Sequence, residues 1–180
     1  EKAYMLLDEL SNYLQGKFRF NHQNSFISLE DELELVKSYL RIEMVRLGSR
    51  LKVEYNIDRK VSVHIPPLTV QPLVENAVKH GVYPKKEGGT VCISVNRTDD
   101  GVVVIVKDDG VGMSQSEIDS VLTGQVRVGG IGLCNLDQRL KRYYGSGLKI
   151  TSQVNEGTTV ELTIPNSKVS GGCSNESFSN

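Results

Sequence analysis

Apolar residues recur at helical spacing from the start of the chain, where Ala3, Leu6, Leu7, Leu10, Tyr13 and Leu14 share one side of a helix over residues 3 to 14. A second stripe, Leu29, Leu33, Val36, Leu40, Met44 and Leu47, follows Ser28, a residue suited to capping a helix N-terminus. Both stripes either pack on the domain or leave a seam for a partner helix or a second copy. The period then shortens. Residues 51 to 57 and 61 to 65 read as strands around the turn Asp58-Arg59-Lys60, and Pro66-Pro67 ends them. A helix is expected from about Thr69, with Val70, Leu73, Val74, Ala77 and Val78 inward and Asn76, Lys79 and His80 on the free polar face.

Thr90 to Arg97 and Val102 to Lys107 are β-rich runs joined by Asp99-Asp100-Gly101, a hairpin signal. Ser114 with Glu117 forms a capping box for a further helix, and Leu133, Leu136, Leu140 and Tyr143 predict another after Gly132. Lys149 to Val154 and Thr158 to Ile164 close the domain as a hairpin through Asn155-Glu156-Gly157. From Asn166 onward there is little to bury, which predicts disorder over 166–180. The order implies an α+β domain over 51–165, with helices layered on one mixed, largely antiparallel sheet, led by amphipathic helices over 1–50.

Composition narrows the function classes. With 180 residues, 38% of them hydrophobic, the chain can bury roughly 70% of its unfolded surface as one domain. Its 21 basic and 22 acidic residues leave a net charge of -1, so no general attraction to nucleic acid or an anionic membrane is expected. Anion binding would have to be local. The apolar run Val102 to Val106 is too short to span a bilayer and no leader pattern opens the chain, so the segment reads as cytosolic. Cys92, Cys134 and Cys173, like His22, His64 and His80, are scattered without zinc-ligand or disulfide spacing.

Three segments carry candidate chemistry. Asn76 offers an uncharged oxygen to Mg²⁺, which takes one or two protein ligands and completes its shell from phosphates and water. Lys79 and His80, one turn on, could reach the same phosphates. Asp108 ends an apolar strand ahead of Gly110 and Gly112, whose missing side chains would let a flat ring approach. A carboxylate there accepts from the amino group of adenine and meets an acceptor in guanine, so ATP is expected over GTP. Gly130-Ile131-Gly132 opens a helix, where free amides bind phosphate without net basic charge. Residues 113–129 would form a lid, with Arg127 available to phosphate. Neither a dinucleotide-binding fingerprint nor a Walker sequence is present.

At these residues the chain resembles the GHKL superfamily of ATPases and kinases. Leu73 to Gly81 resembles its N-box, Asp108 to Met113 its first glycine box, Gly130 to Leu133 its second, and Gly157-Thr158-Thr159 its last, over roughly 66–165. Finer likeness is to LytS-type sensor histidine kinases, through Ser28 to Leu33, Tyr39 to Glu43, Gln71-Pro72-Leu73-Val74-Glu75-Asn76 and Gly130 to Leu140. The resemblance implies a Bergerat-type two-layer α/β sandwich that binds Mg-ATP through Asn76, Ile131, Leu133, Thr158 and the other box residues. It also implies transfer of the γ-phosphate to a histidine and onward to a response regulator.

Two departures qualify that likeness. Pro72 stands where hydrolytic relatives keep a Glu to activate water, so ATP hydrolysis is expected to be inefficient, although Glu75 could orient a nucleophile beside Asn76. No histidine has the family's Pro-His-Phe-type acceptor context, so the acceptor is expected on helices of a longer parent kinase attached to the cell membrane. The competing readings are a protein serine kinase of the anti-sigma-factor type and an ATP-sensing homodimer without phosphotransfer.

Overall fold

A computed structural model describes residues 2–21, 26–124 and 131–169. Helix α1 (Lys2–Asn21) packs on α2 (Leu29–Leu47), and the short strand β1 (Ile27–Ser28) lies between them in sequence. The Ser28 hydroxyl accepts from Asp31 N at 3.0 Å, the cap expected from the sequence. After β2 (Leu51–Ile57) and β3 (His64–Ile65), the chain enters α3 (Gln71–Asn76) and a π-helical turn, Ala77–Val82. Strands β4 (Gly89–Thr98) and β5 (Gly101–Asp108), helices α4 (Gln115–Thr123) and α5 (Ile131–Tyr144), strands β6 (Lys149–Gln153) and β7 (Gly157–Pro165), and α6 (Asn166–Val169) complete the order.

Five strands form one sheet in the order β2-β4-β5-β7-β6, antiparallel except for the parallel pair β2-β4. Register places Val95 against Val104 and Val106 against Val160, so alternate residues point into one apolar layer. Ile93, Val95, Val104 and Ile164 in that layer are all inaccessible to solvent, while Ser94, Ile105 and Thr163 on the other face remain partly exposed. A one-sided core demands one layer of helices, which is the α+β sandwich expected from the sequence. Among the described residues, no helix is long and apolar enough to cross a membrane.

Several local expectations are corrected. Of the run 61–65 read as a strand, only His64–Ile65 is one, and it pairs antiparallel with β1 through Ile27 and Ile65, while β2 runs parallel to β4. The buried Ile65 and the following prolines turn the chain into the helical layer, away from the sheet edge. Among the described residues of the α1 stripe, Leu7, Leu10 and Leu14 are exposed, while Tyr13 lies against Tyr39, ring centroids 5.8 Å apart. Met44 and Tyr143 are also exposed, and Tyr144 packs on the core in place of its neighbour. Where disorder is expected from Asn166, residues 166–169 form a helical turn held by Asn166 N to Asp100 O at 3.1 Å. The remainder of that tail, with Cys173, lies outside the described residues.

Candidate functional site

The polar face of α3 and its π turn looks into a cavity of about 400 Å³. Asn76 and His80 contribute from that face, Asp108 from the end of β5, Gly112 and Met113 from the following loop, Leu133 from α5 and Thr158 from β7. Small-molecule sites occupy about 300–1,000 Å³, so the volume suits a nucleotide-sized ligand. The inner walls are apolar, formed by Leu73, Ala77, Val106 and Val160. Their role is not marked in the sequence, because the same residues serve the core's periodicity. Ser120 and Glu117 of α4 also border the cavity and went unsignalled, since capping alone explains Glu117.

Asp108 is 4% exposed. Its Oδ1 accepts from Gly110 N at 2.9 Å, and the Thr158 backbone N–H adds a second donor. Burial nevertheless pushes its pKa up to about 6, because two amides do not replace the water lost around a carboxylate. Such a group is ready for a further donor from a ligand.

Gly110 does not face the cavity. A Cβ there would collide with the backbone of Gly81, whose carbonyl accepts from Val111 N at 3.0 Å. The glycine is therefore needed for the loop to lie against the π turn, which corrects the expectation that it makes room for a flat ring. Gly112 does line the cavity, with φ of +64° and Gln153 O where a Cβ would sit.

Asn76 donates from Nδ2 to Pro72 O at 2.6 Å. The amide nitrogen is thus engaged, and Oδ1 is the atom left to bind a cation. Pro72, which cannot act as a base, instead supplies the carbonyl that orients this amide. The π turn is closed by Tyr83 N to Val78 O at 2.8 Å, an i to i−5 bond where the sequence pattern reads as plain α-helix.

Glu75 lies off the cavity wall. Its Oε1 accepts from Tyr13 Oη, Lys17 Nζ and Gln71 Nε2, each at 3.1 Å, and its Oε2 pairs with Lys79 Nζ at 2.9 Å. Burial opposes its ionisation, but the donors from Lys79, Gln71 and Lys17 prevail and hold its pKa at about 2. A carboxylate so held is a poor proton acceptor at neutral pH. Lys79 is exposed and engaged by this pair, outside the cavity wall.

Gly132 is also exposed, with no atom of the described residues within 4 Å of where a Cβ would be, and the neighbouring Leu133 is the residue that reaches the cavity. Ile131 begins α5, while Arg127 and Gly130 lie outside the described residues. Thr158 is anchored through its hydroxyl to Ser152 Oγ at 2.8 Å, and that same serine accepts from Met113 N at 2.8 Å. Ser152 has no local signature, since any polar residue suits its alternating strand position. Among the described residues, no three His, Cys, Asp or Glu side chains converge as metal ligands. Any cation here would draw most of its ligands from the bound molecule.

Comparison with known proteins agrees with this geometry. Residues 67–168 match the family described as histidine kinase-, DNA gyrase B-, and HSP90-like ATPase, and residues 1–51 match the histidine kinase family. The chain is 38% identical to YwpD of Bacillus subtilis over 173 residues, covering 95% of this chain and 62% of that protein. It is 38% identical to the sensor histidine kinase YpdA of Escherichia coli and 35% identical to the sensor protein LytS of Staphylococcus saprophyticus. Those matches cover 93% and 92% of this chain but only 29% of either relative. In fold it is similar to the histidine kinase domain of the Erythrobacter litoralis EL346 blue-light activated kinase, with a TM-score of 0.58 at 21% identity over 93% of this chain and 76% of that one. The cavity between α3 and Asp108 thus sits in the domain, residues 67–168, by which this chain belongs to the histidine kinase-, DNA gyrase B- and HSP90-like ATPase family.

Proposed function

We propose that the cavity binds Mg-ATP and that the domain transfers the γ-phosphate to a histidine outside these 180 residues. The observation that carries this reading is that Asp108 and Asn76 line one cavity from opposite elements. Asp108 accepts from the adenine amino group, and Asn76 Oδ1 is the protein's ligand to Mg²⁺. His80 on the cavity wall contacts the phosphates. Lys79, paired with Glu75 outside the wall, and Gly132 are further candidates for that role, as are Gly130 and Arg127, which lie outside the described residues. Mg²⁺ supplies charge neutralisation between phosphates when bound. Leu133 and Thr158 on the cavity wall close the far side of the nucleotide.

Phosphoryl transfer asks little covalent chemistry of a protein, so the domain's work is to hold the triphosphate and exclude water. Glu75 is braced between Lys17 and Lys79 and acts as an orienting group. Pro72 provides no base, which favours transfer over hydrolysis. The acceptor histidine, carried on helices of a longer membrane-attached parent, and a response regulator beyond it are the partners in this reading, with dimerisation of the parent through its helices.

Calorimetric titration of ATP and GTP, each with and without Mg²⁺, tests the site. Mg²⁺-dependent binding of ATP but not GTP is expected, and equal binding of both nucleotides would refute the role of Asp108. Labelled phosphate passed to a histidine-bearing partner should be acid-labile; an acid-stable product would identify a serine kinase instead.

A further inference from the structure

Helix α3 has no cap of its own. Val70 precedes it in helical conformation and offers no side-chain acceptor, yet the first amides of a helix need one. The acceptor comes from α2: Glu32 Oε1 receives Val70 N at 2.5 Å and Gln71 N at 3.0 Å, across 38 and 39 residues of chain. Glu32 is wholly inaccessible to solvent, and its Oε2 is buried without a hydrogen-bond partner among the described residues. Burying a carboxylate to cap a helix is costly where a local Ser or Asp would serve. A remote cap does something a local one cannot, which is to fix the helix relative to another element.

From that capped turn, hydrogen bonds lead to the cavity. Gln71, whose amide Glu32 holds, donates from Nε2 to Glu75 at 3.1 Å, and Pro72, the next residue, accepts from the Asn76 side chain at 2.6 Å. The orientation of the Asn76 amide is therefore referred to the first turn of α3. Arg139 of α5 grips the preceding segment through Leu68 O at 2.6 Å and Thr69 Oγ1 at 3.4 Å.

We infer that Glu32 is a positioning residue for the metal side of the ATP site, holding α3 so that Asn76 presents its oxygen to the cation. This rests on the reading of Asn76 as the Mg²⁺ ligand. Burial pushes the Glu32 pKa up to about 7, with the amides of Gln71, Val70 and Thr69 and the charge of Arg139 pulling the other way. Tyr144 of α5 also faces it, and burial raises that phenol so that it stays neutral. Above pH 7 the cap is an anion; below it, Oε1 can keep both amide bonds but the charge is gone. Charge-assisted hydrogen bonds are about twice as strong as neutral ones, so the hold on α3 weakens with protonation.

The test measures ATP affinity of the 180-residue chain with Mg²⁺ and with chelator at pH 6 and pH 8, for the native protein, Glu32→Gln, Glu32→Asp and Asn76→Ala. Glu32→Gln mimics the protonated cap and is expected to lose about fivefold to tenfold of the Mg²⁺-dependent gain in affinity at pH 8, to match the native protein at pH 6, and to bind metal-free ATP unchanged. Glu32→Asp, charged but one methylene short, should lose the gain at pH 8 too. Comparing variants at each pH cancels the ionisation of ATP and of Asp108. An equal loss with and without Mg²⁺, or an unchanged gain in both Glu32 variants, would overturn the inference. If Asn76→Ala retains the full Mg²⁺-dependent gain, the reading of Asn76 itself fails; if it abolishes the gain while both Glu32 variants keep it, only the role of Glu32 is lost.

Discussion

Lys17 of α1 and Glu75 of α3 form an ion pair at 3.1 Å, with Tyr13 Oη bonded to both side chains. The leading helix is therefore tied to the residue next to Asn76. Because Glu75 is held below its unfolded value of 4.5, the pair contributes stability above that pH and loses it as pH falls from 4.5 toward 2. The side chains are 36% and 19% exposed, so screening limits the gain to about 0.2–1 kcal/mol. Lys17→Met should lower the urea midpoint slightly at pH 7, and the difference from the native protein should shrink as pH falls toward 2 and Glu75 takes up its proton.

Asp108→Asn is expected to reduce ATP affinity about tenfold or more, the loss of a charge-assisted hydrogen bond to the adenine amino group. Calorimetry at pH 7.5 checks it. The free protein should not be less stable at that pH. A carboxyl raised from 3.8 to about 6 destabilises the folded chain progressively as pH rises between those values, and the variant removes that penalty.

Native ATP affinity should itself fall as pH drops through 6, where Asp108 takes up a proton and ceases to be a charged acceptor. Asp108→Asn should lack that component. Titrations at pH 5.5 and 7.5 on both proteins separate it from the ionisation of the nucleotide, which both share.

Gly110→Ala places a methyl group against the Gly81 backbone, which cannot move without distorting the π turn. A cost of about 1–3 kcal/mol is expected, read as a lower urea midpoint. Asn76→Ala, by contrast, should leave stability nearly intact and flatten the dependence of ATP affinity on Mg²⁺ concentration.

Much of this site was legible from residues close to one another in the chain. Asp108 at the strand end, Asn76 and His80 on the polar face of a helix, and the Ser114 capping box with Glu117 all stand where spacing places them. These features depend on neighbours two to four residues away, and their signals are written in that interval. Glu75 and Gly110 have the right neighbours too, but what each touches lies elsewhere in the chain, and their functions had to wait for the fold.

The linear order of residues was enough to mark most of the helices and strands and the buried face of the sheet, and to single out Asn76, His80 and Asp108, which the fold brings to one cavity. Packing in three dimensions was needed to pair β2 in parallel with β4, to make Glu32 the cap of α3 from 38 residues away, and to bring Lys17 to Glu75 across 58. The physical reason is the range of the forces involved. Backbone periodicity and local caps are satisfied within a turn, whereas a buried amide or carboxylate takes whichever partner the packed core brings to it.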